Sequence, residues 1–168
     1  MVLAFAATIL LAGRDSHAGW VTIQPKNAGF KVDMPHIPFS SKTIVKEEGY
    51  SYPCYKFATV DAGIEYQVTY AEFPIKVSQD QVDQLLENMI NGISKVSKSE
   101  IVNDDKSNVE GKPARVFLMQ NAKDELRIGM VCYDGHRGYI CGVDGPRNVV
   151  NGGTIRDFGK TFKFVPYK

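Results

Sequence analysis

Alternation of apolar and polar residues with a period of two recurs along this chain, and it constrains the fold more than any other feature. It is clearest between Gly63 and Phe73. One parity there carries Ile64, Tyr66, Val68 and Tyr70, and the other carries Glu65, Gln67 and Thr69. Successive side chains of a strand point to opposite faces of a sheet, so this segment predicts a half-buried β-strand. The preceding Asp61-Ala62-Gly63 is a turn sequence, and its glycine can take a positive φ.

One segment has a strong helical period instead. Residues 78–97 place their apolar side chains on a single stripe, which predicts a helix that covers a sheet on one side and meets water on the other. Ser78, with Gln81 three residues later, fits a capping pair at its start. The stripe consists of Val82, Leu85, Leu86, Met89, Ile90, Ile93 and Val96. A second, weaker helix is predicted at 148–158.

Further strands are predicted on both sides of the long helix. They lie at 20–23, 29–34, 42–46, 52–60, 101–102, 113–120, 126–133, 139–143 and 161–165. This order favours an α+β domain with a mostly antiparallel sheet, packed by the long helix and by the short C-terminal helix. The polar stretch 95–112 is too short to separate two cores, so we predict a single domain over residues 19–168.

Residues 1–18 have the features of a signal peptide. Residues 2–12 form an uncharged apolar run too short to cross a bilayer, and residues 16–18 (SHA) form a small-x-small cleavage triplet. Arg14 stands where a lipid-anchored precursor would need its acylated cysteine. We expect cleavage after Ala18 and a periplasmic or secreted mature chain without a membrane span; a buried N-terminal helix is the alternative.

The charge balance argues against one class of partner. The chain has 20 Lys and Arg against 19 Asp and Glu, a net charge of +1. Such a chain has no strong field to attract nucleic acid or an anionic membrane surface. We therefore expect no nucleic-acid partner.

No catalytic, cofactor-binding or metal-binding constellation stands out in the sequence. His36 lies between two prolines and His136 in a predicted hairpin turn, with no acidic neighbour at metal-ligand spacing. Residues 103–105 (NDD) lack the glycine and glutamate that an EF-hand loop requires, so a polar connecting loop is expected. Residues 151–154 (NGGT) lack the lysine of a P-loop, so a flexible loop is expected there.

Aromatic residues are concentrated in the first half of the chain. Tyr66 and Tyr70 share a face with apolar neighbours and are predicted to be core. Tyr55 and Phe57 have the opposite parity to Tyr52, so this hairpin is apolar on both faces. Two-sided burial and an aromatic binding surface are both consistent with that pattern.

The three cysteines raise the question of a disulfide, because an oxidising compartment lets one persist. If the four residues 135–138 form the turn between the strands predicted at 126–133 and 139–143, Asp134 faces Tyr139 and Cys132 lies directly opposite Cys141, close enough for a cross-strand bridge. A five-residue turn would shift the register and prevent it. Two alternatives stay open: three buried thiols, or a bridge from Cys54 to one of the others.

Several short motifs follow one another in a recognisable order. They are Trp20, Gly29-Phe30-x-Val32-x-Met34-Pro35, the tyrosine-rich hairpin, the amphipathic helix, Glu110-Gly111-Lys-Pro-Ala114 and Phe158-x-x-Thr-Phe162. This order resembles the broad PsbP/Mog1/DcrB-like group of small exported domains, over nearly all of residues 19–168. The resemblance implies an α/β/α sandwich around an antiparallel sheet and a non-enzymatic role in binding or assembly. A fold analogy does not supply the ligand.

The function predicted on these grounds is a non-enzymatic, exported binding or interaction domain. Its partner would be a protein or a small molecule of the cell envelope. One alternative is an exported hydrolase-like enzyme that uses dispersed carboxylates and His136, which requires a carboxylate within about 3 Å of the imidazole. The other is a structural envelope protein that associates with itself.

Overall fold

The computed structural model describes residues 19–47, 49–74 and 76–166, and the predicted signal peptide at 1–18 lies outside them. Within the described residues, no helix is both long enough and apolar enough to cross a membrane. The described residues form two antiparallel sheets and two α-helices, which confirms the predicted α+β class.

The strands and helices follow the predicted order closely. The strands are β1 Val21–Ile23, β2 Phe30–Met34, β3 Phe39–Glu47, β4 Tyr50–Asp61, β5 Ile64–Glu72, β6 Ser99–Val109, β7 Lys112–Asn121, β8 Glu125–Tyr133, β9 Arg137–Pro146 and β10 Lys163–Phe164. The helices are α1 Val82–Ser97, which a 3-10 turn at Gln79–Gln81 precedes, and α2 Gly152–Thr161.

The larger sheet has seven strands in the order β3-β4-β5-β9-β8-β7-β6. Helix α1 carries the chain from β5 to the far edge, and β6 to β9 then return to pair with β5. Two-residue turns close two of its hairpins, at Ala62-Gly63 and at Glu110-Gly111, with positive φ at both residues of each turn. That geometry matches the right-handed twist of the flanking strands, and it confirms the predicted positive φ of Gly63.

The smaller sheet, in the order β1-β2-β10, joins the two ends of the domain and lies on one side of the larger sheet together with α2. We call this side the small-sheet face. Phe30 stacks on Phe162 with 5.6 Å between ring centroids, and Trp20 and Phe158 meet the ring of Tyr66 edge-on at 5.3 Å each. Burial of these rings is a main source of stability, because aromatic side chains remove large apolar areas from water.

Helix α1 packs on the opposite side, which we call the helix face, against β6, β7 and β8. Val82, Leu86 and Ile90 are buried there in a second core cluster, as the stripe predicted. Val96 is 86% exposed, so the prediction that it belongs to the buried stripe is wrong. Val96 lies in the last turn of α1, next to its final residue Ser97, beyond the part of the helix that packs on the cluster.

Strand β6 replaces a predicted loop. It spans Ser99–Val109 rather than residues 101–102, and the acidic run at 103–105 pairs with β7. Asp104 accepts two hydrogen bonds from the guanidinium of Arg115, at 2.8 Å each, and Asp83 of α1 accepts a third at 3.0 Å. The loop prediction was wrong because β6 is an edge strand whose side chains are mostly exposed, so its sequence lacks the apolar alternation of an inner strand.

Both helix starts differ from expectation. The Ser78 hydroxyl donates to Gln81 Oε1 at 2.7 Å instead of capping the backbone, and a 3-10 turn leads into α1. Residues 151–154 are not a flexible loop. Asn151 Oδ1 accepts from the backbone N–H groups of Gly153 and Thr154, at 2.8 and 3.1 Å, and so caps α2.

Candidate functional site

The helix face of the larger sheet is covered over only part of its width. Helix α1 packs on β6, β7 and β8, and Met89 on its flank reaches Gly138 of β9. In the described part of the chain, α1 has no substantial contact with β3, β4 or β5 on this face. We call the helix-face side of these three strands the open half-face. Its side chains include Phe39, Ser41, Thr43, Cys54, Lys56, Val60, Glu65, Gln67 and Thr69.

Charged and amide side chains form the border between the open half-face and the covered part. Lys56 Nζ lies 2.6 Å from Glu65 Oε1. Asp144 accepts two hydrogen bonds from Arg127, both at 2.6 Å, and one from Gln67 at 2.8 Å. Glu65 and Asp144 are directly opposite in the sheet, where like charges repel. Each carboxylate is paired with its own cation, so the charges of this border are balanced by neighbouring side chains of the protein.

A cleft of about 530 Å³ lies where this border meets the C-terminal end of α1. Glu65, Arg127 and Asp144 line it from the sheet, and Ser97 and Ser99 line it from the helix end. The hydroxyls of these two serines already donate hydrogen bonds within the protein. The Ser97 hydroxyl donates to the carbonyl of Ile93 at 2.7 Å, and the Ser99 hydroxyl donates to the carbonyl of Ser97 at 3.4 Å. The cleft is therefore polar, with most of its groups already bonded within the protein.

Strands β3 and β4 continue beyond the end of β5 as a two-stranded arm. The β4–β5 ladder begins at Cys54, whereas the β3–β4 ladder extends to the end of β3. Pro53, which has no N–H to donate, stands at the first position beyond the β4–β5 ladder. Ile44 and Tyr50 of the arm are 54% and 50% exposed.

The aromatic hairpin is buried on one face and partly open on the other. Tyr66 and Tyr70 are core residues, as predicted, and Tyr55 stacks on Tyr70 with 4.8 Å between ring centroids. Phe57 is buried on the same small-sheet face. Tyr52, on the helix face, is half-buried against Phe73 at 5.4 Å. The aromatic hairpin is therefore buried on its small-sheet face, whereas its other face forms part of the open half-face.

The two histidines are not brought together. His136 is exposed, and in the described residues no hydrogen bond or ion pair joins its ring to a carboxylate. The neighbouring Asp134 instead accepts from the backbone N–H groups of His136 and Arg137, at 2.8 Å each. His36 lies 3.3 Å from Asp61 in an exposed pair. The hydrolase-like alternative thus lacks the His136–carboxylate contact that it required.

A second cleft, of about 840 Å³, lies beside the start of α1. Lys76 lines it from the loop before α1 and Lys112 from the first position of β7, and Tyr133 forms part of its wall. The Tyr133 hydroxyl accepts from the N–H of Val77 at 3.2 Å and donates to the carbonyl of Gly135 at 2.9 Å. Within the described residues, no cluster of three or more His, Cys, Asp or Glu has the geometry to hold a metal ion.

The cysteines do not adopt the register that the sequence predicted. Cys132 lies opposite Tyr139, and Cys141 lies opposite Met130, so the two cysteines are diagonal neighbours. The predicted register is wrong by two residues, because Tyr133 pairs with Gly138 and the Asp134 carboxylate holds the turn between them closed.

All three cysteines are free thiols. Cys132 and Cys141 are buried on the small-sheet face, whereas Cys54 is half-buried on the helix face. Burial raises the pKa of each thiol. Diagonal side chains are farther apart than directly opposed ones, so a bridge between Cys132 and Cys141 needs the strands to shift. The bridge itself stays a prediction from the sequence.

Comparison with known proteins agrees with this architecture. The solution structure of cyanobacterial PsbP from Synechocystis sp. PCC 6803 superposes with a TM-score of 0.64, covering 92% of this chain and 97% of that one at 10% sequence identity. No family model and no curated protein sequence matches the chain. The chain therefore has a PsbP-like fold, as the motifs predicted, and at this identity the similarity concerns the fold alone.

Proposed function

We propose that the mature chain is a non-enzymatic, exported domain that binds a protein partner on the open half-face. The observation that carries this proposal is the uneven covering of the larger sheet. The smaller sheet and α2 cover the central strands of one face, and α1 covers the β6–β8 side of the other. Phe39 and Val60 on the remaining part are each 56% exposed. Exposed apolar side chains bordered by polar ones are typical of protein interaction sites.

The chemistry of the border also favours binding over catalysis. A general acid or base needs a group free to exchange a proton with a substrate. Glu65 and Asp144 are instead held by Lys56 and Arg127 at 2.6 Å. Such paired charges give a rigid, patterned surface, and patterned charge contributes more to the specificity of an interface than to its affinity.

The proposal that the chain is exported rests on its sequence. The apolar run at residues 2–12 and the small-x-small triplet that ends at Ala18 are typical of a cleaved signal peptide. A partner is therefore sought in the periplasm or among secreted proteins rather than in the cytoplasm.

The experiment is a quantitative capture from the compartment in which the protein is found. Tagged wild-type protein is compared with Thr69→Arg and Val60→Arg, which place a bulky cation on the open half-face. Asn91→Arg adds the same side chain on an exposed position of α1 and serves as the matched control. We expect a protein that wild type and Asn91→Arg retain, and that both open half-face variants lose.

Circular dichroism and urea unfolding of each variant show whether its fold is intact. Capture that is equal in all four proteins would place the binding site elsewhere. Turnover of a substrate that depends on any of these residues would overturn the non-enzymatic assignment.

A further inference from the structure

The outer edge of β3 is regular and, in the part of the chain that the structure describes, has no neighbouring strand. β3 spans nine residues and pairs only with β4, without a shift of register. Among the described residues no other strand pairs with it. The opposite edge of the sheet differs, because β6 is interrupted by a register shift between Ile101 and Asn103. Bulges often interrupt strand edges, so a long edge without one offers backbone N–H and C=O groups to an added strand, and the charges on the edge then select which strand can pair.

The side chains along this edge have a distinct charge pattern. Lys42, Ile44 and Lys46 alternate with other residues and therefore share the small-sheet face of β3. All three are exposed. Lys42 Nζ lies 5.3 Å above the ring of Tyr55, a contact that holds the ammonium group near the sheet. Neither lysine forms an ion pair with a carboxylate among the side chains that the structure describes.

A second copy of this chain fits the edge poorly. If two β3 strands paired antiparallel with full overlap, Lys42 would lie opposite Ile44 of the second copy. It would then be diagonal to both lysines of that copy, so four ammonium groups would gather on one face. Like charges at such positions are destabilising. A slide by two residues is no better, because it places lysines directly opposite each other. A strand with carboxylates at these positions would instead form attractive pairs with the two lysines.

We infer that β3 accepts an extended, acidic segment of a partner protein as an added strand of the larger sheet. Main-chain hydrogen bonds would supply affinity, and side-chain alternation would supply specificity. Carboxylates four residues apart would meet Lys42 and Lys46, with an apolar side chain between them against Ile44. This inference deepens the proposed function and rests on it for the existence of a partner, but it concerns the strand edge rather than the open half-face.

The test uses a capped, fluorescent peptide of sequence Thr-Glu-Thr-Val-Thr-Glu-Thr and the full chain. We expect saturable binding that weakens as salt is added, because exposed charge pairs are screened. The double variant Lys42→Glu/Lys46→Glu should bind the peptide at least about tenfold more weakly, since two attractive pairs become repulsive. A peptide with Lys in place of both Glu should bind this variant better than it binds wild type.

Matched controls separate strand addition from charge attraction. Lys95→Glu/Lys123→Glu makes the same change of net charge at exposed positions away from β3 and should bind the acidic peptide as wild type does. A peptide N-methylated at alternate residues keeps its charges but loses backbone donors, so it should not bind. Equal binding of the methylated peptide, or loss of binding in the control variant, would overturn the inference.

Thr69→Arg separates this inference from the proposed function. That variant should still bind the peptide while it loses the captured partner. If the peptide does not bind wild type, while partner capture still depends on the open half-face, the inference about the β3 edge is refuted and the proposed function stands. Concentration-dependent self-association abolished by Lys42→Glu/Lys46→Glu would identify a second copy as the occupant and would also refute it.

Discussion

The hydroxyl of Tyr139 connects three parts of the chain at a point with no access to water. Tyr139 is fully buried, and its hydroxyl lies 2.7 Å from Asp134 Oδ2 and 3.1 Å from the carbonyl oxygen of Ala28. It thus joins β9 to the β8–β9 turn and to the loop before β2. Burial is the main reason why the pKa of this hydroxyl is raised, and the Asp134 carboxylate adds to the effect.

Tyr139→Phe should lower the free energy of unfolding by about 1–3 kcal/mol, because the substitution removes the hydrogen bond of a buried hydroxyl to Asp134 or to the Ala28 carbonyl. Urea unfolding measures the loss. Tyr50→Phe removes the same hydroxyl from a half-exposed ring and should change stability by less than about 0.5 kcal/mol. Equal effects of the two substitutions would mean that the Tyr139 hydroxyl contributes nothing to the fold.

The diagonal placement of Cys132 and Cys141 predicts the number of free thiols in the protein. Protein purified from its native compartment, unfolded without reductant, should titrate three free thiols, because the observed register does not place the two sulfurs opposite each other. In the folded protein Cys54 should react first, since it is half-buried and the other two are buried. A single thiol in the unfolded, unreduced protein would instead establish the disulfide that the sequence predicted and show that the register shifts.

At the scale of the elements, α1 anchors the covered part of the helix face. Leu86 is 1% exposed at the centre of its stripe, in contact with a cluster that includes Phe117 and Val131. The stability of a helix of this length comes mainly from packing of its apolar stripe rather than from helix propensity.

Leu86→Ala should lower the free energy of unfolding by about 2–5 kcal/mol, because it leaves a cavity in this cluster. Val96→Ala, on the same helix but 86% exposed, is the matched control and should change stability by less than about 0.5 kcal/mol. Chemical denaturation of both variants measures the change in the free energy of unfolding. A large loss at Val96 would mean that the C-terminal flank of α1 is covered in solution.

At the scale of the whole molecule, the smaller sheet ties the start of the domain to its end. β2 pairs with β1 and with β10, which lie on either side of it, so both ends of the described chain are fixed in one sheet. Trp20 packs on Tyr66 and Phe158 close to the first described residue.

Mass spectrometry of the mature protein should find an N-terminus at Gly19. The small-x-small triplet before it is the pattern that signal peptidase recognises. Cytoplasmic protein in the same cells serves as the unprocessed reference. Recovery of the protein only with Met1 at its start would refute both the processing and the localisation.

The sequence by itself determined the local elements, because their patterns are local. Period-two alternation located most of the strands, and the helical stripe located α1 to within a turn. The turn at Ala62-Gly63 followed from its residues as well. The polar side of β5, with Glu65, Gln67 and Thr69, was the one signal of the open half-face, but any strand with one polar face has the same pattern.

Only the tertiary structure decided where those elements meet. β6 was missed because an exposed edge strand has no apolar alternation, and the register of β8 and β9 depends on how Asp134 closes their turn. The width of sheet that α1 covers, and therefore the open half-face and the free edge of β3, depends on where the chain crosses after β5. These features arise from contacts between residues far apart in the chain, which no local pattern encodes.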